Sequence, residues 1–446
     1  MSRSNVPARA LAALALAAAS LMPHQAIAGA PPIQRVTLAN GMRVVLAPDP
    51  MATGVDVAVW HPLGTRHERA GQAGITHLVE RLSFRGSAQV RDGEHRDRVL
   101  AEGGTINTSM SADHLAFWQT VPSEALAATL ALEADRMAGL APSATAFEEE
   151  KREAVLDRSR AERTPVARGL SRLWAEAYTG HPYARPLTGV EADVRGITLA
   201  AAQQWRRERF AAGSAVLTVV GRFEPEPTLD RIRTLFAKLP AGARVVTPAA
   251  KVTGGEMRRV EEVSDIPVRV LFTGFRGPGS NDPDALAMEM LAQSIGAGES
   301  PHLLNVLGQE WGLALAAQAG FDVRLEGSLF WTLTALREDA DGETTERALR
   351  DELGRIAREG LDEQVVARVK RLAETRTLFA AQGVRSRAQL LGEAELWKGD
   401  AGLAEQRLAR IHALTAADLQ RAARRLFAHG AHAVVWMRPG GPGGAR

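Results

Sequence analysis

The chain has 446 residues, 45% hydrophobic and 24% charged, which is apolar content for two or more globular domains. Its 54 Lys and Arg against 52 Asp and Glu leave too small a basic excess to point to nucleic acid. The absence of cysteine excludes a disulfide scaffold, a thiolate zinc site and a cysteine nucleophile.

The first stretch, "MSRSNVPARALAALALAAASLMPHQAIAGA", carries Arg3 and Arg9, then an Ala- and Leu-rich run, then small residues at Ala26 and Ala28. This pattern predicts a secretory signal peptide over residues 1–28 and an exported protein, periplasmic or secreted. The apolar run is short for a bilayer span, and no later segment is long and apolar enough for one. No membrane span is therefore expected. Without Arg3 and Arg9 the mature chain has 52 Lys and Arg, equal to its 52 Asp and Glu. Its stability must come from core packing.

"RVTLANGMRVVLAPD" (Arg35 to Asp49) predicts a hairpin turning tightly at Asn40-Gly41 between alternating runs. "GVDVAVWHPLG" predicts a further strand. "GITHLVERLSFRGS" (Gly74 to Ser87) predicts a helix that places His77, Glu80 and Arg81 on one face, at i, i+3 and i+4. Zinc proteases of the H-x-x-E-H type carry two imidazole ligands and a glutamate base in that arrangement. Here Arg81 stands at the second imidazole position. A guanidinium is permanently protonated and has no lone pair to give a metal. Read without further context, a lone H-x-x-E is ordinary helix surface or core. "EALAATLALEADRMAGL" predicts a helix with Leu126, Leu130 and Met137 on one face.

The chain repeats itself. "TLAAAQQWRRERFAAGSAVLTVVGRF" starts at Thr198 and "TAADLQRAARRLFAHGAHAVVWMRP" at Thr415, with Phe210 and Phe427 keeping the same spacing of 217 positions. Each reads as N-cap, helix, glycine stop and apolar strand, which suggests a duplicated domain. "VRVLFTGFRGPG" looks like the second-half counterpart of the early strand. The expected architecture is α+β: two homologous halves, each an α/β sandwich of mostly antiparallel strands with helices on one side. The boundaries are drawn at 32–240 and 256–437, with a Pro- and Gly-rich linker at 241–255 and a disordered tail at 438–446. The run "RRER" (Arg206 to Arg209) is expected to be solvated helix surface.

Several segments in order resemble the insulinase/pitrilysin (M16) zinc metallopeptidases, particularly the smaller bacterial members and the mitochondrial processing peptidase subunits. They are "GITHLVERLSFRGS", "GGTINTSMSADHLAFW" (Gly103 to Trp118), "EEEKREAVLDRSRAE" (Glu148 to Glu162), "HPYARPLTGVE" and the two-half layout. The resemblance covers nearly all of the mature chain. It implies that His77 matches the first histidine ligand, Glu80 the general base, Arg81 the second histidine and Asp157 the glutamate ligand. It further implies that Arg81 replaces zinc electrostatically by pairing with Glu80, Asp157 or Glu150, so that Glu80 is a vestigial base and no metal is expected. In the second half, "SPHLLNVLGQEWGLALA" (Ser300 to Ala316) puts Gly308 and Leu315 where the family has a peptide-holding arginine and tyrosine. Asn107 and Ser109 lie on the strand where the family adds an extended peptide by main-chain hydrogen bonds; a strand-end Asn is the plainer reading of Asn107. Trp60, Trp118, Trp174, Trp205 and Trp311 would line a chamber or, more simply, fill the core.

The reading that follows is an exported M16-like pseudopeptidase. It would be the non-catalytic subunit of a heterodimer whose partner carries an intact H-x-x-E-H, the two enclosing peptides. One alternative is an active zinc endopeptidase using His77, Asp157 and Glu150 or Glu153. The other is a structural or peptide-binding protein with no proteolytic partner.

Overall fold

The computed structural model describes residues 32–245, 250, 252, 256–296 and 301–440. The leader and most of the linker lie outside the described residues. In the first half, β1 (Gln34–Thr37), β2 (Arg43–Pro48) and β3 (Val55–His61) are followed by α1 (Ile75–Leu82) and α2 (Glu94–Ala101), counting helices of eight residues or more. Next come β4 (Thr105–Met110), β5 (Leu115–Val121), α3 (Leu126–Ala138), α4 (Ala144–Arg163) and α5 (Pro165–Ala177). The half ends with α6 (Leu199–Arg209), β6 (Val216–Gly221) and α7 (Pro225–Phe236). The second half runs β7 (Arg258–Ser264), β8 (Val270–Pro278), α8 (Ala285–Gly296), β9 (Ala314–Asp322), β10 (Gly327–Leu336) and α9 (Gly342–Glu359). It closes with α10 (Glu363–Gln382), α11 (Val384–Lys398), α12 (Ala416–Phe427) and β11 (Ala433–Pro439).

The first sheet has the order β1-β2-β6-β3-β5-β4 and the second β7-β11-β8-β10-β9. Each contains one parallel pairing, β2 with β6 and β7 with β11, and is otherwise antiparallel. Apart from the extra β1, the two orders superimpose element for element, which is the expected duplication seen in three dimensions. The repeated helix–strand units behave alike: Thr198 caps α6 by accepting from the Ala201 N–H, and Thr415 caps α12 by accepting from that of Asp418. The early hairpin forms with Thr37 opposite Arg43, though its turn is wider than a two-residue loop, with Leu38 donating to the Met42 carbonyl. Gly41 takes the left-handed conformation there (φ 86°).

Helices were expected on one side of each sheet; they cover both. Apart from half-buried Arg43, odd and even residues of β2 and β3 are buried because the two faces meet different partners. Val44, Leu46, Val57 and Val59 pack with Leu126 and Leu130 of α3 and Ile232 and Phe236 of α7. Val45, Ala47, Ala58 and Trp60 pack instead with Ala388, Leu391 and Leu396 of α11, a helix of the second half. The exchange is reciprocal: Leu173, Trp174 and Ala177 of α5 pack on Phe272 of β8 and Val435 of β11. A glycine permits each close crossing. A Cβ at Gly392 would lie 2.3 Å from the Trp60 ring, and one at Gly169 2.4 Å from that of Phe272. Each half thus keeps core clusters of its own, and two further clusters are shared between the halves.

Two local expectations are corrected. Arg438 and Pro439, assigned to a disordered tail, belong to β11, where they pair with Val263 and Ser264 of β7; residues 441–446 lie outside the described residues. Arg206, placed on a solvated face, is buried and donates to the carbonyls of Arg136 and Met137 at 2.7 and 2.8 Å, satisfying the last turn of α3. Among the described residues no helix is long and apolar enough to cross a membrane.

Candidate functional site

The site is built on α1. The helix starts at Gly74, which sits at φ 105° in the left-handed region and has no room for a side chain against Val194. With no capping side chain at that position, the buried carboxylate of Glu68 does the work, accepting from the Gly74 and Thr76 N–H groups at 3.0 Å each. Burial pushes the Glu68 carboxyl up to about 7 against the lowering effect of those two donors. Ile75, Leu78, Val79 and Leu82 face inward onto Phe147 and Ala154 of α4. This packing turns His77, Glu80 and Arg81 toward α4 and β4.

Arg81 bridges two carboxylates of α4: its Nε donates to Glu150 at 2.7 Å and a terminal nitrogen to Asp157 at 2.6 Å. Glu150 also accepts from Arg85 at 2.7 Å, and Asp157 from Arg160 at 2.9 Å. Arg85 in turn holds Asp92 at 2.7 Å and Glu149 at 2.6 Å. Three guanidiniums thus neutralise the acidic face of α4. Glu80 is not paired with Arg81; it accepts a hydrogen bond from the Thr108 hydroxyl of β4. Burial shifts the Glu80 carboxyl upward, with Thr108 and the Arg81 charge opposing that shift. The His77 Nε2 lies 3.6 Å from Asp157 and 3.9 Å from Glu80, while its buried Nδ1 has no hydrogen-bond partner among the described residues. Burial pushes this imidazole down to about 4, so it is neutral at pH 7.

The predicted quartet is therefore together in space, and Arg81 points inward. The donors do not fit zinc. His77 is a single imidazole whose second nitrogen lacks the partner that orients a metal-bound histidine. The oxygen of Asp157 nearest it is engaged by a guanidinium lying where a dication would be repelled. Among the described residues no group of three or more His, Asp or Glu could hold a metal ion.

Asn107 is exposed on β4, the outer strand of its sheet, and its Oδ1 accepts from the Thr108 N–H at 2.9 Å. Ser109 is half-buried two residues on, on the same side of the strand and opposite to Thr108. In the second half Gly308 lies in a single π-helical turn, Asn305–Glu310, and Leu315 is 53% exposed on β9. Trp60, Trp174 and Trp205 are buried, whereas Trp311 is 44% exposed. Sequence reasoning missed Thr108, Arg85 and Arg160. The acidic run Glu148 to Glu150 was the available signal that more than one arginine is needed there.

The family model for insulinase (peptidase family M16) matches residues 43–191, and that for the peptidase M16 inactive domain matches residues 196–372. An uncharacterised zinc protease of Mycobacterium tuberculosis is 26% identical over 407 residues, covering 90% of this chain and 92% of its own. A probable mitochondrial-processing peptidase subunit beta of Schizosaccharomyces pombe is 23% identical over 288 residues, covering 62% and 63% of the two chains. The crystal structure of a protease from Helicobacter pylori superimposes with a TM-score of 0.84 at 22% identity, covering 92% of this chain and all of that one. With one model on each half and a relative aligned over nine-tenths of both chains, the chain belongs to peptidase family M16.

Proposed function

We propose that the chain is an exported, non-catalytic M16 subunit that binds peptides alongside a catalytic M16 chain with an intact H-x-x-E-H. The observation that carries this reading is the Arg81 bridge to Glu150 and Asp157. Without a metal there is no activated water for Glu80 to deprotonate, and Glu80 itself is engaged by Thr108. Gly308 and Leu315 supply no side-chain donor for a peptide carbonyl in the second half. What remains is the outer edge of β4, whose main-chain groups can pair with an extended peptide whatever its sequence. Production as a subunit is in keeping with the relative named as subunit beta of a processing peptidase.

The name of the Mycobacterium relative, a zinc protease, favours a second reading: an active endopeptidase with an altered ligand set. A fluorogenic peptide library incubated with the isolated chain separates the two. The proposal expects no cleavage above that of Glu80→Gln, and cleavage restored on mixing with a catalytic M16 partner. Chelator-sensitive cleavage by the isolated chain, abolished by Glu80→Gln, would establish the second reading instead.

A further inference from the structure

A cavity of about 570 Å³ lies where the halves meet, and no residue of α1 or α4 lines it. The turns between β4 and β5 (Ser111 to His114) and between β9 and β10 (Asp322 to Leu325) contribute two walls, with Leu187 and Ser280 beside them; α8, α11 and the segments after α11 contribute the others. Leu286, Leu390, Ala394, Trp397 and Leu403 make most of it apolar. Its size suits a small ligand.

The carboxylates around it are committed elsewhere. Asp113 accepts from Arg66 and Tyr183, Glu289 is paired with Arg407, and Asp322 accepts from the Trp174 indole. Glu393 accepts from Gln389, and burial pushes it toward the neutral acid. The cations are not all matched. Lys398 donates to the Ser280 carbonyl and has no carboxylate partner, and Arg410, exposed on the same wall, has no ion pair among the described residues. Burial and then the Arg410 charge lower the Lys398 ammonium, so the two cations feel each other. Two neighbouring unmatched cations beside an apolar hollow call for an anion on an apolar body.

We propose that this cavity binds a small amphiphilic carboxylate, with its chain among Leu286, Leu390, Trp397 and Leu403 and its carboxylate at Lys398 and Arg410. Trp397 in the wall provides a spectroscopic reporter. Decanoate is the probe, titrated into the full chain with tryptophan fluorescence and calorimetry as readouts, and decyltrimethylammonium is the control of equal chain length and opposite charge. Saturable 1:1 binding of decanoate, roughly tenfold tighter than the cation, is expected. The double variant Lys398→Glu/Arg410→Glu, at exposed positions, should reverse that preference, and Ala394→Trp should abolish decanoate binding by filling the hollow. Equal affinity for the two headgroups, binding only near micellar concentrations, or indifference to the charge reversal would overturn the proposal.

Discussion

Removing Arg81 should weaken the first half by an amount the geometry bounds. Breaking a fully buried ion pair costs about 3–5 kcal/mol, because the surviving charge is left alone. Here the Arg81 side chain is 23% exposed, those of Glu150 and Asp157 are 11% and 26% exposed, and each acid keeps a second guanidinium in Arg85 or Arg160. Solvent and these remaining partners reduce the loss to about 1–2 kcal/mol for Arg81→Ala. For two halves that share core clusters and unfold as one unit of about 400 residues, that lowers Tm by about 1–2 °C. The test is a double-mutant cycle in urea with Arg81→Ala, Asp157→Ala and the pair. A coupling of about 1 kcal/mol is expected, since either deletion already removes the contact. If the two losses add within about 0.3 kcal/mol, Arg81 is not the cation holding Asp157, and the reasoning about the site fails.

Three further outcomes follow from the packing and electrostatics. Gly392→Ala places a Cβ 2.3 Å from the Trp60 ring and should cost about 1–3 kcal/mol with altered tryptophan fluorescence, while Gly196→Ala, whose Cβ meets nothing within 4 Å, should not destabilise. His77 falls from its ordinary 6.5 to about 4 on folding, so between those values the unfolded chain binds more protons and stability declines as pH falls. That gap is worth about 3 kcal/mol, and urea midpoints for His77→Gln should show a shallower decline than wild type from pH 6.5 to 4. Glu68→Ala removes the acceptor from the start of α1 and should cost about 1–2 kcal/mol, read by thermal denaturation.

Local patterns were legible in the sequence where one element decides the outcome alone. The period of apolar residues located α3, and the Thr–helix–Gly–strand unit recurring 217 positions apart exposed the duplication that the two sheet orders repeat. The resemblance brought His77, Glu80, Arg81 and Asp157 to one place. What was not legible depends on contacts distant in the chain. The exchange of α5 and α11 between halves is hidden because a helix pattern does not say which sheet receives its apolar face. The composition of β2 was the clue: Val44 to Pro48 are apolar on both faces, and such a strand needs two covering layers. Arg206 read as surface because charge alone marks exposure, yet the final carbonyls of α3 supply acceptors for it inside. Thr108 carries no motif, and only strand register shows that it turns toward Glu80 while Asn107 and Ser109 face away.

That a positive side chain stands in for an ion is tested most directly by elemental analysis. The purified wild-type chain and Arg81→His should be equilibrated with zinc, desalted and measured by inductively coupled plasma mass spectrometry. The expected result is well below one zinc per chain for the wild type and a clear gain for Arg81→His, whose imidazole offers the missing lone pair. One tightly held, chelator-removable zinc per wild-type chain would contradict it.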